Sequence, residues 1–311
     1  MDAMSGIGLP LLLSWIVRLL ASYQDFEVAV RPAAPVQGQL VLIELSRVAP
    51  EDVVKGKFLG RALQFYTDLD GRVRALAVIP LDQKPGETPL RVTVERPAEP
   101  PLTKRIKVRI GEGTFDFQTI KVDPRFISPP KSAYARIQRE QEVFARLWAT
   151  APTPRQWRGS FQKPREATSG SGFGERRIFN GSQRSRHWGM DMRGEEGDLV
   201  YAIGAGTVVL ASDCYYSGGT IVLDHGLGMF SLYFHLSGFL IKAGDKVERG
   251  QQIGKVGATG RATGSHLHLS TRLGATLFDP LSLINLDLTE GAAPEPASPE
   301  SSSPRAPVPA P

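Results

Sequence analysis

The chain has 311 residues, 41% of them hydrophobic and 22% charged, a balance that suits folded protein of about two domains. Its net charge of +5 fits an anionic polymer as partner, but no zinc-finger spacing, recognition-helix pattern or aromatic RNA-binding motif accompanies it, so nucleic acid is not expected. A single cysteine, Cys214, rules out an internal disulfide and a cysteine metal cluster, leaving His, Asp and Glu to hold any metal.

The chain opens on an apolar run, Ile7 to Val17, followed by Arg18 and Leu19 to Ser22. It is shorter than the roughly 20 residues a bilayer span needs. Residues 1–24 are read as a signal peptide or N-terminal anchor, with no other transmembrane span expected. Alternating segments follow at Phe26 to Val30, Gln39 to Leu45, Arg61 to Tyr66, Val73 to Ile79, Leu90 to Glu95, Lys104 to Ile110 and Phe115 to Val122. Asp70-Gly71 marks a tight turn. Such a series of short strands predicts an Ig-like β-sandwich over 25–122, a positioning or partner-binding module without a histidine.

Pro129-Pro130 ends that region, and 123–158 reads as a linker with one helix. Ser132 is placed to cap the helix, which runs to about Trp148 with Tyr134, Ile137, Phe144, Leu147 and Trp148 on one apolar stripe. From 159 to 286 the chain is rich in Gly, β-branched and aromatic residues without helical periodicity, which predicts an antiparallel β-sheet domain. The tail 287–311 is mostly Pro, Ala, Ser and Glu, a composition that cannot bury a core.

All five histidines fall between positions 187 and 268. His187-Trp188-Gly189-Met190-Asp191 sets a nitrogen and an oxygen ligand four residues apart, with a flexible glycine between them. In His266-Leu267-His268, residues two apart on a strand share a face, so both imidazoles can enter one site. His235 ends the run Leu232-Tyr233-Phe234, where strict alternation places Tyr233 and His235 on one face. His225, in Asp224-His225-Gly226, sits in a turn-like context and is assigned a structural role.

Taken together, these pieces resemble the lysostaphin/LytM-type zinc metalloendopeptidases. The likeness runs from about Arg177 to Ile284 and includes Arg177 to Gly181, Ile203 to Val208, Tyr233 to Ser237, Gly244 to Val247, Gly250 to Gly254 and Gly264 to His268. The resemblance implies one Zn2+ held by His187, Asp191 and His268, with a fourth position left for water. It implies catalytic roles for His235 and His266, and substrate or transition-state contacts for Asn180 and Tyr216, the latter beside Tyr215. Two departures stand out: Phe234 replaces a small residue, and Leu269-Ser270 replaces an aromatic-acidic pair.

The implied activity is hydrolysis of peptide cross-links in peptidoglycan stems by an exported periplasmic or envelope enzyme, with a D,D-endopeptidase favoured by the leading β-sandwich. The alternatives are a non-catalytic envelope protein that binds wall or activates an amidase, and a secreted protease acting on Gly-rich proteins. Some members of the family are latent until an N-terminal segment leaves the groove. That implies such a role here for the helix and sandwich, and a regulatory envelope protein as a further partner.

Overall fold

The computed structural model describes residues 25–166 and 170–289; the expected N-terminal signal or anchor and nearly all of the Pro-rich tail lie outside the described residues. Among the described residues no helix is long and apolar enough to cross a membrane. The fold is mainly β, as expected. The first eight strands are β1 (Glu27–Arg31), β2 (Leu40–Ser46), β3 (Val53–Phe58), β4 (Arg61–Ala62), β5 (Phe65–Thr67), β6 (Val73–Val78), β7 (Gly86–Glu95) and β8 (Leu102–Ile110). They form two four-stranded antiparallel sheets, ordered β1-β2-β6-β5 and β4-β3-β7-β8. Val41, Ile43 and Leu45 of β2 meet Leu90, Val92 and Val94 of β7 in the core between them.

Strand β2 is buried along nearly its whole length because its sheet has two covered faces. Leu40 and Leu42, with Leu76 and Val78 of β6, point away from the sandwich and join the core of the second domain. A continuous apolar run is what a strand covered on both faces requires. The two domains therefore share packing along that sheet.

The single strand expected at Arg61 to Tyr66 is two short strands, β4 and β5. Strand β3 was not anticipated, because Lys55, Gly56 and Lys57 break the apolar pattern of a strand whose odd positions face water. The segment expected to close the sandwich, β9 (Phe117–Ile120), leaves it instead and pairs in parallel with β10 (Arg176–Phe179) of the second domain. Helix α1 (Lys131–Ala149) begins one residue before Ser132, with Pro130 at the N-cap position and no side-chain cap. Proline at that boundary fixes the extended entry that Ser132 was expected to supply. Phe144 and Trp148 dock on Phe230 and Leu232, while Tyr134 of the expected stripe is exposed.

The remaining strands are β11 (Gln183–Arg186), β12 (Met190–Arg193), β13 (Leu199–Tyr201), β14 (Gly206–Cys214), β15 (Gly218–Gly226), β16 (Met229–Leu236), β17 (Gly238–Phe239), β18 (Lys246–Val247), β19 (Gln252–Lys255), β20 (His266–Leu273) and β21 (Thr276–Phe278), closed by the short helix α2 (Pro280–Ile284). The main antiparallel sheet runs β12-β20-β16-β15-β14-β18, with β21 on β20. Ile221, Leu223, Tyr233, Leu267 and Leu269 form its buried face. The opposite face of β12, β20 and β16 carries the site.

Candidate metal centre and its groove

Register builds the centre. In the β12–β20 pair Asp191 lies directly opposite His268, and in the β20–β16 pair His268 lies opposite Phe234. Cross-strand partners on one face have Cβ atoms about 5 Å apart, close enough to converge on one ion. Leu267 is fully buried in the core, so His266 and His268 share the other face, as the His-x-His spacing requires. His187 enters just ahead of β12.

Gly189 matters for space rather than for conformational freedom. A Cβ there would sit 2.3 Å from the Leu269 carbonyl oxygen and 2.6 Å from His268 Nε2. No side chain fits between His187 and Asp191 while His268 packs beneath them.

His187 Nε2, His268 Nδ1 and Asp191 Oδ1 lie within 2.8–3.0 Å of one another. The far side of each group is committed. His187 Nδ1–H donates to the Gly172 carbonyl at 2.8 Å. The Ser270 hydroxyl donates to the Trp188 carbonyl, so its oxygen accepts from His268 Nε2–H at 2.9 Å. Carbonyl oxygens only accept, and a hydroxyl has one proton. Both neutral imidazoles therefore turn unprotonated nitrogens toward each other and toward a carboxylate oxygen. Three lone-pair donors so close repel unless a cation lies among them.

The donor set fits a transition metal. Bonds of about 2.0 Å in tetrahedral geometry separate ligand atoms by roughly 3.3 Å, slightly more than the spacing here. Outer-shell partners of the kind that orient metal ligands are present. Asp191 Oδ2 accepts from Arg177 at 2.9 Å and from the Ser171 hydroxyl at 2.8 Å. Burial pushes His268 down to about 4, favouring its neutral ligand form.

Both sequence departures touch His268. Phe234 stacks on its ring with centroids 5.3 Å apart, and Ser270 takes its Nε2–H.

His235 corrects one expectation. Tyr233 is fully buried, its hydroxyl accepting from the Ile203 amide at 2.9 Å, whereas His235 lines the groove. The β15–β16 register shifts between Gly219 and Ile221, and His235 has φ +65°. A bulge breaks strict alternation and re-aims the side chain. Left-handed backbone is uncommon for a residue with a Cβ, and such strain concentrates at functional sites. His235 Nδ1–H donates to the Thr259 carbonyl at 2.8 Å, leaving Nε2 with a lone pair. Burial first, and then His268 and His266, push its pKa down to about 3. His266 is held similarly, with Nδ1 bonded to the Gly264 carbonyl at 2.8 Å. The His235 and His266 rings are 4.8 Å apart between centroids, and His266 Nε2 is 3.6 Å from Asp191 Oδ1.

These residues line a groove of about 560 Å³. Tyr216 is in its wall, while the Tyr215 hydroxyl is bonded to the Arg125 carbonyl. Burial raises the Tyr216 phenol pKa, so it stays protonated. Asn180 is not in the wall. Both of its amide atoms bond the Val122 backbone, donating to the carbonyl and accepting from the amide at 2.9 Å each. It fastens the segment after β9, where Val122, with Gln118 and Ile120 of β9 itself, forms part of the groove wall. His225 is fully buried away from the groove between the Ala205 carbonyl and Ser231 Oγ, a structural placement.

Sequence reasoning missed Arg177, Ser171, Ser270 and Thr259, which orient the groups above. Ser270 was within reach, two residues beyond His268 on the same strand face. Ser171 and Thr259 lie in loops and leave no periodic signal.

The His-Asp-His centre thus lies in the wall of an open groove, with two further imidazoles beside it. Residues 185–280 match Peptidase family M23. Over 99 residues it is 43% identical to the peptidoglycan DD-endopeptidase ShyA of Vibrio cholerae, a match spanning 32% of this chain and 23% of that protein. Over 97 residues it is 35% identical to the DD-carboxypeptidase/endopeptidase Mpg of Neisseria meningitidis, covering 31% of this chain and 22% of the other. The chain thus matches under a quarter of the length of these curated relatives. A solved structure of a peptidase M23 from Pseudomonas aeruginosa superposes with a TM-score of 0.60 at 28% identity, covering 80% of this chain and 94% of that one.

Proposed function

We propose that this protein is a zinc-dependent endopeptidase that hydrolyses peptide cross-links of bacterial peptidoglycan in the cell envelope. The observation that carries the reading is the set of three converging lone pairs from His187, Asp191 and His268, open to a groove. The activities named for ShyA and Mpg support the substrate class and a D,D-specific bond. Zinc bound by the three ligands would lower the pKa of a water toward about 7 and polarise the scissile carbonyl.

The chain's own groups supply the rest. His235 is neutral at physiological pH and presents Nε2 to the groove, so it accepts a proton from the attacking water. His266, fixed by the Gly264 carbonyl, holds a second Nε2 beside it and takes part in moving that proton toward the leaving amine. Tyr216 keeps its phenolic proton and donates it as a hydrogen bond to the developing oxyanion. Arg177 and Ser171 fix the Asp191 carboxylate from behind. Asn180 acts on substrate only indirectly, by anchoring the groove wall at Val122.

The test is digestion of purified sacculi, with products identified by mass spectrometry. Wild type is expected to release cut cross-link peptides, to lose that activity on chelation and to regain it with zinc; His266→Ala should release none. A folded, zinc-loaded wild type that leaves sacculi intact would refute the reading.

A further inference from the structure

The groove is strongly basic. Arg177, Arg186, Arg193, Arg261 and Arg272 line it, against one carboxylate, Asp191, among the described residues. Arg177 is bonded to Glu175 and Asp191, and Arg186 donates to the Gly174 carbonyl. Arg272 donates to the Gly274 carbonyl and lies over Trp148.

Arg261 differs. Its guanidinium is held over the Phe179 ring at 4.6 Å and the Tyr216 ring at 5.5 Å. It is partly buried, and no hydrogen bond or ion pair to its side chain occurs among the described residues. Burial without an acid lowers its pKa, the signature of a cation lacking its counter-charge.

The loop beneath it is closely packed. The Arg261 amide donates to the Tyr216 carbonyl at 2.8 Å, and a Cβ on Gly260 would meet the Gly218 amide nitrogen at 2.4 Å. Two residues earlier, the Thr259 carbonyl fixes His235. One loop therefore positions both the proposed base and the unpaired guanidinium.

We infer that Arg261 is a specificity-determining residue that binds a carboxylate carried on the same carbon as the leaving nitrogen of the scissile amide. The inference rests on the cross-link reading above and names the class of cross-link. In a D-alanyl–diaminopimelate link, the carbon bearing the amide nitrogen also bears a free carboxylate. In a lysine-type link that position is a plain methylene. A planar guanidinium pinned between aromatic rings matches a carboxylate with two parallel N–H donors. The same chemistry occurs where a stem ends in D-alanyl-D-alanine, whose terminal carboxylate is equally placed.

Calorimetric binding of released stem peptides to the zinc-loaded full chain tests this. Four peptides are compared: one with free diaminopimelate, one with that carboxylate amidated, one with lysine in its place, and one ending in D-alanyl-D-alanine. Wild type is expected to bind the free diaminopimelate form about tenfold or more tightly than the amide and lysine forms, as a charge-assisted pair allows. Arg261→Gln should bind those three alike, and Arg261→Lys should retain part of the preference. Each ratio is taken within one preparation, so a variant with a reduced folded fraction still reports it. A terminal D-alanine bound as tightly as diaminopimelate extends the site to stem ends; weaker binding confines it to cross-links.

Equal affinities in wild type, or a preference that survives in Arg261→Gln because the carboxylate goes to the metal, would overturn the inference. Binding needs no turnover. A protein that shows the ratio but leaves sacculi intact upholds the anion site and sinks the hydrolytic reading, while one that cuts sacculi without the ratio does the reverse.

Discussion

Two aspartates, Asp68 buried and Asp191 partly buried, set the two halves of the molecule apart. Asp68, at the base of the sandwich, has both carboxylate oxygens taken by guanidinium groups, Oδ2 by Arg74 and Oδ1 by Arg155 at 2.6 Å. Arg74 also donates to Glu44 at 2.8 Å, so the cluster closes on itself. Asp191 has one oxygen taken by Arg177 and Ser171, while the other faces two imidazole lone pairs. Charge satisfied within the chain marks structure. Charge left facing other acceptors marks a place for something the chain does not supply.

The comparison can be broken most strongly at the groove. His235→Ala should keep zinc but lower turnover by about 10²–10⁴-fold, the usual worth of a positioned general base. Activity assays beside metal analysis check this, and unchanged turnover would remove His235 from the chemistry. At Asp68 the effect is on stability. Asp68→Ala removes the buried carboxylate that Arg74 and Arg155 both pair with, and should cost about 3–5 kcal/mol in denaturant unfolding with zinc affinity retained.

His225 gives a pH prediction. Burial lowers its folded pKa from 6.5 to about 4. The unfolded state then binds the extra proton between those values, so the stability it contributes is present above pH 6.5 and lost as pH falls toward 4. The wild-type melting temperature should drop across that window, and His225→Gln should flatten the drop. The smallest effect is expected at Ser270. Ser270→Ala removes the acceptor that fixes the His268 tautomer and should weaken zinc binding about 10–100-fold in competition with a chelator, without unfolding the protein.

Much of the site was legible because it follows strand periodicity. His266 and His268 share a face for the same reason that Leu267 is buried, and Asp191 meets His268 through antiparallel register. His235 escaped that logic, since a bulge places Phe234 and His235 in the groove together and alternation carries no trace of it. Asn180 was read as a site residue from its place in a motif, yet its amide is spent on Val122, a partner 58 residues away. The same long-range pairing, β9 with β10, moved the boundary of the sandwich. Leu40 and Leu42 were legible as strand, but not as the side of the sheet that joins the core of the second domain.

The central claim is that Asp191 Oδ1 and the two imidazole nitrogens require a cation. Titrating zinc into metal-depleted wild type and Asp191→Asn tests it most directly. One zinc per wild-type chain, lost in Asp191→Asn with the fold intact by circular dichroism, is the predicted result. A wild type that binds none, or an Asp191→Asn that binds equally well, would contradict it.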